Sequence, residues 1–272
     1  MGSASNTTKS FPLWTDFRHS TQSAPNTDMY TAGVSFPISY NFATAYGSTP
    51  KTVYSSSTGL WNTIFSTNGN LYFTNSSNDG TTWSTPQGIS GSASLQISSD
   101  PVIVQDSHAN LDVVFASPQG LYFCKKPQNG SWTSPILLYS SSQTSYPTLA
   151  VDTSGTGHSV FVNDGSGFGM HPLSSQNWYL LYGTFSISNP GLLTAQKQIE
   201  GPVAQITGTS LTQLVTGQLH AVWSRSGEIY YSYGSGSNWL SPANISNNSG
   251  SSLYLFFPPE NSPLFRLKFT HL

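Results

Sequence analysis

Apolar and polar residues alternate with a period of two along much of this chain. The segments 110–116, Asn-Leu-Asp-Val-Val-Phe-Ala, and 220–224, His-Ala-Val-Trp-Ser, carry this pattern. Such alternation is typical of β-strands that have one face in the core. Gly- and Asn-rich tracts such as 68–70 and 118–120 favour hairpin turns. No segment shows a convincing helical periodicity, so the pattern predicts an all-β protein.

The strand-like segments belong to a unit that recurs four times. A first aromatic residue is followed seven residues later by a second, and 16 to 18 residues after the first by a Trp. A Pro precedes the first aromatic in every unit, by 14 or 15 residues in three units and by 21 in the fourth. The four sets are Pro50, Phe65, Tyr72 and Trp83; Pro101, Phe115, Tyr122 and Trp132; Pro147, Phe161, Phe168 and Trp178; and Pro202, Trp223, Tyr230 and Trp239.

A unit of roughly 50 residues is the size of one four-stranded antiparallel blade of a β-propeller. We therefore predict a single propeller domain over residues 30–272, preceded by an N-terminal extension of residues 1–29. The repeats are expected at about 47–91, 97–140, 143–190 and 199–245.

Four blades alone would leave sheet edges unpaired, which natural sheets avoid. The strand-like runs at 30–46 and 251–270 are therefore expected to form a composite blade that closes the ring from both termini. Five blades are favoured, and six remain open if residues 10–46 contain further strands.

Charged residues are scarce, at 7% of the chain, and the formal net charge is −2. No basic cluster is present that would bind a nucleic acid, and no apolar run approaches the roughly 20 residues that span a bilayer. Hydroxyls and amides must cover most of the surface. A protein with so few titrating groups is expected to change its stability little with pH.

The cellular setting is predicted to be extracellular, on a cell surface or on a virion, although no signal peptide is visible. The lone Cys124 cannot form an intrachain disulfide, and no cofactor is predicted. Five Asn-x-Ser/Thr sequons are potential glycosylation sites, some of them chance matches in a chain rich in Ser and Asn: Asn6, Asn75, Asn129, Asn244 and Asn247.

The segment 76–83, Ser-Ser-Asn-Asp-Gly-Thr-Thr-Trp, resembles the Ser-x-Asp-x-Gly-x-Thr-Trp hairpin of the Asp-box propellers. That architecture is found in sialidases and in several propeller lectins. Asn78 departs from the pattern at its acidic position. The resemblance covers residues 47–245 and implies the fold, since the box is a structural turn remote from the active site in that family.

The segments around Asp100-Pro101 and Glu200-Gly201-Pro202 resemble those of five-bladed arabinanases and xylosidases. The resemblance implies that Glu200 is a general acid whose pKa is modulated by Asp100. Tyr146 occupies the same aligned position before its Pro, at the expected channel end of an innermost strand. If the protein is an enzyme, Asp100, Tyr146 and Glu200 are its candidate catalytic residues.

Two observations weigh against catalysis. An inverting glycosidase needs a second carboxylate as general base, and the aligned position of the first repeat is Thr49. Sialidases of the Asp-box family use three arginines, whereas the three arginines of this chain, Arg18, Arg225 and Arg266, lie outside the family's Phe-Arg-Ile-Pro motif.

An aligned row three residues before each first aromatic holds Asn62, Asp112, His158 and His220. A carboxylate and two imidazoles are metal-ligand types, but a metal site needs them around one ion. Repeat-related residues of different blades are usually farther apart. We therefore expect a polar rim and no metal site.

Aromatic residues outside the repeat landmarks are the candidate sugar platforms, because sugars present apolar C–H faces and many hydroxyls. We therefore predict a noncatalytic carbohydrate-binding or surface-recognition propeller whose partners are glycans or glycoproteins. A glycoside hydrolase with an acidic channel site, and a structural virion or surface-layer subunit with protein neighbours, remain open alternatives. The candidate ligand-binding residues are Trp61, Tyr179, Tyr182, Tyr231 and Tyr233.

Overall fold

The computed structural model describes residues 51–89, 91–97, 101–141, 144–164 and 178–246, together with four backbone strands of the N-terminal segment. The described residues contain antiparallel β-sheets, one short 3₁₀ turn at Ala93–Leu95 and no α-helix. The prediction of an all-β fold is confirmed. Within these residues, no helix is long and apolar enough to cross a membrane.

Five sheets follow one another along the described chain. Sheet 1 contains β1 (Gly2–Ser5), β2 (Ser10–Asp16), β3 (Asp28–Thr31) and β4 (Val34–Phe36). Sheet 2 contains β5 (Thr52–Ser55), β6 (Leu60–Thr67), β7 (Asn70–Ser76) and β8 (Gln87–Gly88). Sheet 3 contains β9 (Val102–Gln105), β10 (Leu111–Ser117), β11 (Gly120–Lys126) and β12 (Ile136–Ser140).

The last two sheets have five strands each. Sheet 4 contains β13 (Thr144–Ser145), β14 (Ala150–Val151), β15 (Thr156–Asp164), β16 (Trp178–Ser186) and β17 (Thr194–Val203). Sheet 5 contains β18 (Ile206–Gln213), β19 (Leu219–Arg225), β20 (Glu228–Ser235), β21 (Asn238–Trp239) and β22 (Ala243–Asn244).

The first strands of successive sheets lie beside one another. β1 contacts β5, β5 contacts β9, β9 contacts β14, and β14 contacts β18. Since each sheet is ordered from its first strand to its last, the last strand of each lies at the opposite edge from these contacts. The sheets are therefore arranged around their first strands, as the blades of a propeller are.

Each central sheet is buried on both faces. In β10, Val113 and Phe115 pack against sheet 2, while Val114 packs against sheet 4. All seven residues of β10 are buried. A sheet covered on both sides has no polar face, which is why β10 contains a nearly continuous apolar run.

The seven-residue spacing of the repeat aromatics has a direct structural cause. Phe115 and Tyr122 are cross-strand partners of β10 and β11, and their rings stack with centroids 5.7 Å apart. Phe65 and Tyr72 have the same pairing and the same separation, whereas Trp223 pairs with Tyr230 at 6.3 Å. A two-residue turn between the strands fixes this spacing.

The third unit differs from the sequence alignment. The segment 165–177 separates β15 from β16, whereas the other units have a two-residue turn at this point. As a consequence, Trp178 begins β16, whereas Trp83 follows β7 and Trp132 follows β11. The aligned Phe168 lies outside the described residues.

The boundary between the third and fourth units also needs correction. Pro202 was aligned with the prolines that precede each first strand, but it belongs to β17, the last strand of sheet 4. The first strand of sheet 5 begins only at Ile206. The repeats predicted at 143–190 and 199–245 therefore divide the chain within sheet 4 instead of after it.

The N-terminal segment also departs from the expectation. Residues 1–29 were expected to be an extension, yet β1, β2 and the start of β3 fall within them and pair in one sheet with β4. Short strands without clear alternation gave no signal in the sequence. The other half of the expected composite blade, residues 251–270, lies outside the described residues, so ring closure and the number of blades stay predictions.

The turn between β7 and β8 is closed by its own polar groups. Ser76 Oγ accepts a hydrogen bond from the Gly80 N–H at 2.9 Å, and Asn78 Oδ1 accepts one from the Thr82 N–H at 2.9 Å. Trp83 Nε1 donates to the Gly80 carbonyl at 3.2 Å. The Asn78 side chain therefore helps to fix the conformation of this turn.

We predict that Phe115→Ala lowers the free energy of unfolding by about 3–5 kcal/mol, because Phe115 is fully buried between sheets 2 and 3. Val215→Ala is the control, since Val215 is 94% exposed and its replacement should cost less than about 0.5 kcal/mol. Urea denaturation followed by tryptophan fluorescence measures both. Equal losses for the two variants would contradict the packing of β10 described above.

Candidate functional site

Glu200 lies at the interface between sheets 4 and 5. It is a residue of β17 and pairs with Leu180 near the start of β16. Its side chain crosses to sheet 5, where Trp223 Nε1 and Arg225 Nη1 each donate a hydrogen bond to one of its two oxygens. Glu200 is only 8% exposed, so it is a buried carboxylate with charged and polar partners from the neighbouring sheet.

A second glutamate belongs to the same network. Arg225 Nη2 donates to the Tyr230 hydroxyl, and the arginine Cζ lies 3.7 Å from the centre of the Tyr230 ring. The Tyr230 hydroxyl in turn lies 3.5 Å from Glu228 Oε2, which also accepts a 2.7 Å hydrogen bond from Asn244 Nδ2. Two glutamates are thus joined through one arginine and one tyrosine.

The strand ends explain why these groups meet. Arg225 ends β19 and Glu228 begins β20, and the two residues are partners across a two-residue turn. Glu200 reaches the same end of the interface because β17 there runs beside the start of β16. We call the four side chains Glu200, Arg225, Glu228 and Tyr230 the glutamate cluster.

Sequence reasoning selected Glu200 but missed the other three members. Arg225 had been interpreted as a surface turn residue, and Tyr230 as a core aromatic of the repeat. The sequence did contain a signal, since Arg225 and Glu228 are the only oppositely charged pair flanking a two-residue turn between repeat strands within the described residues. Cross-strand pairing across such a turn brings opposite charges together.

Tyr146 lies at the interface between sheets 4 and 5, and Asp100 lies outside the described residues. Tyr146 packs against the core that contains Trp223 and Tyr230, and its carbonyl accepts a hydrogen bond from Thr209 Oγ1 at 2.5 Å. Its φ of 47° is in the left-handed region, which is unfavourable for a side chain of this size. Backbone strain of this kind is frequent at functional sites.

The five predicted sugar platforms have different environments. Trp61 and Tyr182 are 1% and 0% exposed, so neither presents a ring face to a ligand, and both belong to the core. The sequence did not identify them as core residues, because neither occupies one of the positions that define the repeat. Tyr179, Tyr231 and Tyr233 are partly exposed.

The aligned polar row lies at the opposite end of the sheets from the glutamate cluster. In sheet 4, His158 Nδ1 lies 2.8 Å from the Tyr182 hydroxyl and Nε2 lies 3.3 Å from Asp152 Oδ2. Burial lowers the pKa of His158, although Asp152 opposes this, and burial together with Asp152 raises the pKa of Tyr182 to about 12. A neutral imidazole accepts from the tyrosine and donates to the aspartate.

In sheet 3 the same row contains Asp112, which is fully buried. Neither of its oxygens has a hydrogen-bond partner among the described residues, and the Lys125 ammonium is 4.0 Å away. Burial raises the pKa of Asp112 to about 7, with Lys125 opposing the shift. Across the described chain, no three His, Cys, Asp or Glu side chains are grouped closely enough to hold a metal ion.

The chain is similar to known proteins in its fold. No protein-family model and no curated protein sequence matches it. An endo-arabinase from Bacteroides thetaiotaomicron is a structural neighbour at 13% identity and a TM-score of 0.50, covering 78% of this chain and 84% of the arabinase.

Two further structural neighbours have similar scores. A protein of unknown function from Dyadobacter fermentans has 11% identity and a TM-score of 0.51, over 71% of this chain and 67% of its own. A sialidase from Streptococcus pneumoniae has 13% identity and a TM-score of 0.50 over 74% of this chain, which spans only 33% of the sialidase. These likenesses confirm the predicted β-propeller fold, of the kind found in sialidases.

The expected function needs a correction. The sequence led us to predict a noncatalytic carbohydrate-binding propeller, with a glycoside hydrolase as the alternative. The endo-arabinase and the sialidase are both glycoside hydrolases, and this finding favours a hydrolase over a noncatalytic binding protein. The composition that suggested sugar recognition does not distinguish a lectin from an enzyme that acts on sugars.

We predict that Glu200 and Arg225 are energetically coupled. Arg225→Met leaves a buried carboxylate without its cation and should lower the free energy of unfolding by about 3 kcal/mol. The double variant Glu200→Gln/Arg225→Met should lose clearly less than the sum of the two single variants. Chemical denaturation of all four proteins measures the coupling, and strictly additive losses would show that the ion pair does not form.

We predict that Asp112 makes the protein more stable in acid. Because its folded pKa of about 7 is above the unfolded value of 3.8, the folded state binds the proton more tightly. The contribution is complete below about pH 4 and is lost as pH rises through 7, by up to about 1.4 kcal/mol per pH unit. Thermal or urea unfolding from pH 4 to 8 should show this slope, and Asp112→Asn should flatten it.

Asp152→Asn is a control for that series, because the pKa of Asp152 is shifted in the opposite direction. Burial tends to raise the pKa of Asp152, but hydrogen bonds from Ser154, Thr156 and His158 lower it overall. Its stabilising contribution is therefore present near neutral pH and lost as pH falls through the lowered value. Wild-type and Asp112→Asn curves of the same slope would rule out the environment described for Asp112.

Proposed function

We propose that the protein is a glycoside hydrolase whose active centre is the glutamate cluster. The observation that carries this proposal is the connection of two glutamates, Glu200 and Glu228, through Arg225 and Tyr230 at one end of the interface between sheets 4 and 5. Most glycoside hydrolases use a pair of carboxyl groups that flank the scissile bond. The structural likeness to an endo-arabinase supports the same reaction class.

The reaction needs a proton on the leaving oxygen and a water molecule whose oxygen bonds to the anomeric carbon as the glycosidic C–O bond breaks. One carboxyl group must be able to carry a proton, and the other must act as a carboxylate. The two glutamates of the cluster have environments that suit this division.

Glu200 is suited to the carboxylate function. Both of its oxygens accept hydrogen bonds from N–H donors, and neither Arg225 nor Trp223 can accept a proton in return. The resemblance to arabinanases and xylosidases instead implied a general acid at this residue. We assign Glu200 to the anomeric side of the bond, where a carboxylate activates water or stabilises positive charge.

Glu228 is suited to the proton transfer. It is more exposed than Glu200, and its Oε2 atom contacts Asn244 and the Tyr230 hydroxyl. These neutral donors orient the carboxyl group without pairing it with a cation. Contact with solvent allows Glu228 to be reprotonated between turnovers.

A sialic-acid substrate is the second candidate within this class. The contact between Tyr230 and Glu228 resembles the Tyr and Glu nucleophile pair of sialidases, and Arg225 lies against the same tyrosine. None of the three arginines of the chain lies in the Phe-Arg-Ile-Pro motif of sialidases, and the chain spans 84% of the endo-arabinase but only 33% of the sialidase. Neutral pentosans are therefore our first choice of substrate.

The test is the release of reducing sugar from linear arabinan, xylan and arabinoxylan, with a fluorogenic sialoside assayed in parallel. We predict activity on at least one neutral glycan, and a reduction in kcat/KM of about 10³-fold or more in Glu200→Gln, because catalysis by a positioned carboxylate contributes on that scale. Glu228→Gln should cause a comparable loss and recover partly with aryl glycosides whose leaving group needs no proton.

Asp152→Asn is the matched control, since Asp152 is a partly buried carboxylate at the other end of sheet 4. Circular dichroism establishes that each variant is folded. Full activity of a folded Glu200→Gln protein, or no hydrolysis of any of these glycans by the wild type, would refute the proposal. Glycans as partners and an extracellular or surface location stay predictions.

A further inference from the structure

A pocket of about 450 Å³ opens at the end of sheet 5 opposite the glutamate cluster. The turn from β18 to β19 forms one wall, and the end of β20 with the turn to β21 forms the other. None of the described residues that line it is charged. Its lining consists of hydroxyls, amides, two glycines, one leucine and one tyrosine ring: Thr216, Gly217, Gln218, Tyr233, Gly234, Ser235, Asn238 and Leu240.

Neighbouring aromatic rings pack against Tyr233 and support it. Tyr233 is the cross-strand partner of His220, and their rings lie 5.7 Å apart with an angle of 17° between them. His220 does not line the pocket, so it supports the tyrosine ring without filling the space in front of it. Tyr231, two residues away on β20, packs against both rings.

A chain of hydrogen bonds orients the opposite wall. The Tyr231 hydroxyl lies 2.7 Å from His220 Nδ1, and His220 Nε2 lies 3.1 Å from Gln218 Oε1. A neutral imidazole accepts from the tyrosine and donates to the glutamine oxygen. The NH₂ group of Gln218 makes no hydrogen bond to any described residue, so it is a donor for a ligand.

The repeat itself does not require Tyr233. Sheet 4 has the same pairing of histidine and tyrosine, with His158 and Tyr182 corresponding to His220 and Tyr231. The residue of sheet 4 that corresponds to Tyr233 is Thr184, which bonds to Thr194. Tyr233 is therefore an addition at one sheet, next to a cavity, and not a component of the repeated packing.

We propose that this pocket is a saccharide-binding subsite for neutral sugars, separate from the glutamate cluster. A flat aromatic ring covers the apolar C–H face of a sugar, while hydroxyls and amides bind its hydroxyl groups. The Tyr233 ring supplies the apolar surface, and Gln218, Asn238 and Thr216 supply the polar groups. None of the described lining residues carries a charge, so we expect no preference for acidic sugars.

The position of the pocket defines its use. Strand β20 runs from Glu228 in the cluster to Ser235 at the pocket, which corresponds to roughly 20 Å. A short oligosaccharide cannot occupy both places, because they lie at opposite ends of the sheet. The subsite therefore binds a distant part of a polymer, or a neighbouring polymer chain, and raises the local concentration of substrate.

This inference rests on the proposed function only for the choice of polymer, and binding is measured without turnover. Isothermal titration and ligand-observed NMR use neutral arabino-, xylo- and gluco-oligosaccharides, with sialyllactose as the charged comparison. Wild type and the Tyr233→Ala, Tyr233→Phe and Asn238→Ala variants are compared, and Glu200→Gln replaces the wild type if the sugar is hydrolysed.

We expect saturable binding of at least one neutral oligosaccharide, weakened about tenfold or more in Tyr233→Ala. Tyr233→Phe retains the ring and should stay within about threefold of wild type, whereas Asn238→Ala should weaken binding several-fold. Hydrolysis of a small aryl glycoside should be the same in all three variants. If the wild type hydrolyses no glycan but still binds a neutral oligosaccharide through Tyr233, the proposed hydrolase function is refuted and the proposed subsite is not.

Three outcomes would overturn the subsite. They are no binding of any neutral oligosaccharide, binding that survives Tyr233→Ala in a protein of unchanged melting temperature, and equal or tighter binding of sialyllactose. Loss of aryl-glycoside hydrolysis in Tyr233→Ala would show that the residue acts at the glutamate cluster, which would also contradict the proposed separation.

Discussion

Burial of both faces of the central sheets is the constraint on which this structure depends. Sheets 3 and 4 each have two apolar faces, and neither can remain in water without a large loss of stability. Stacking sheets 2 to 5 around their first strands buries these faces, as β10 illustrates with neighbours on each side. Large aromatic side chains between the sheets supply much of this packing.

The same stacking creates the glutamate cluster at one end of the sheets. Residues from different sheets meet at each interface, so a carboxylate on the last strand of sheet 4 reaches an arginine on the second strand of sheet 5. At the opposite end, turns between strands leave the pocket beside Tyr233. A buried ion pair contributes little net stability compared with apolar packing, and the catalytic function that we propose for Glu200 would give a reason for the pair at this interface.

Much of the fold follows from residue periodicity, whereas the site depends on contacts between sheets. The seven-residue spacing of Phe115 and Tyr122 identified a strand, a two-residue turn and a second strand. Cross-strand pairing across such a turn fixes the number of residues between the two partners. The alignment failed at Trp178 and Pro202, because residues 165–177 separate β15 from β16 and because Pro202 belongs to β17. Glu200 was selected through a family-like segment, but its partner Arg225 is on another sheet, and no local pattern predicts that contact. The scarcity of charged residues also led us to expect a stability that changes little with pH. That expectation did not include Asp112, because its burial follows from packing and not from composition.

The most direct measurement of the central claim is a crystal structure of the Glu200→Gln protein with a neutral oligosaccharide that the wild type cleaves. The account predicts sugar density at the end of the interface between sheets 4 and 5, with hydroxyl or ring oxygens within hydrogen-bond distance of residues 200 and 228. Density for the cleavable bond elsewhere on the protein, with the glutamate cluster closed to the sugar, would contradict it.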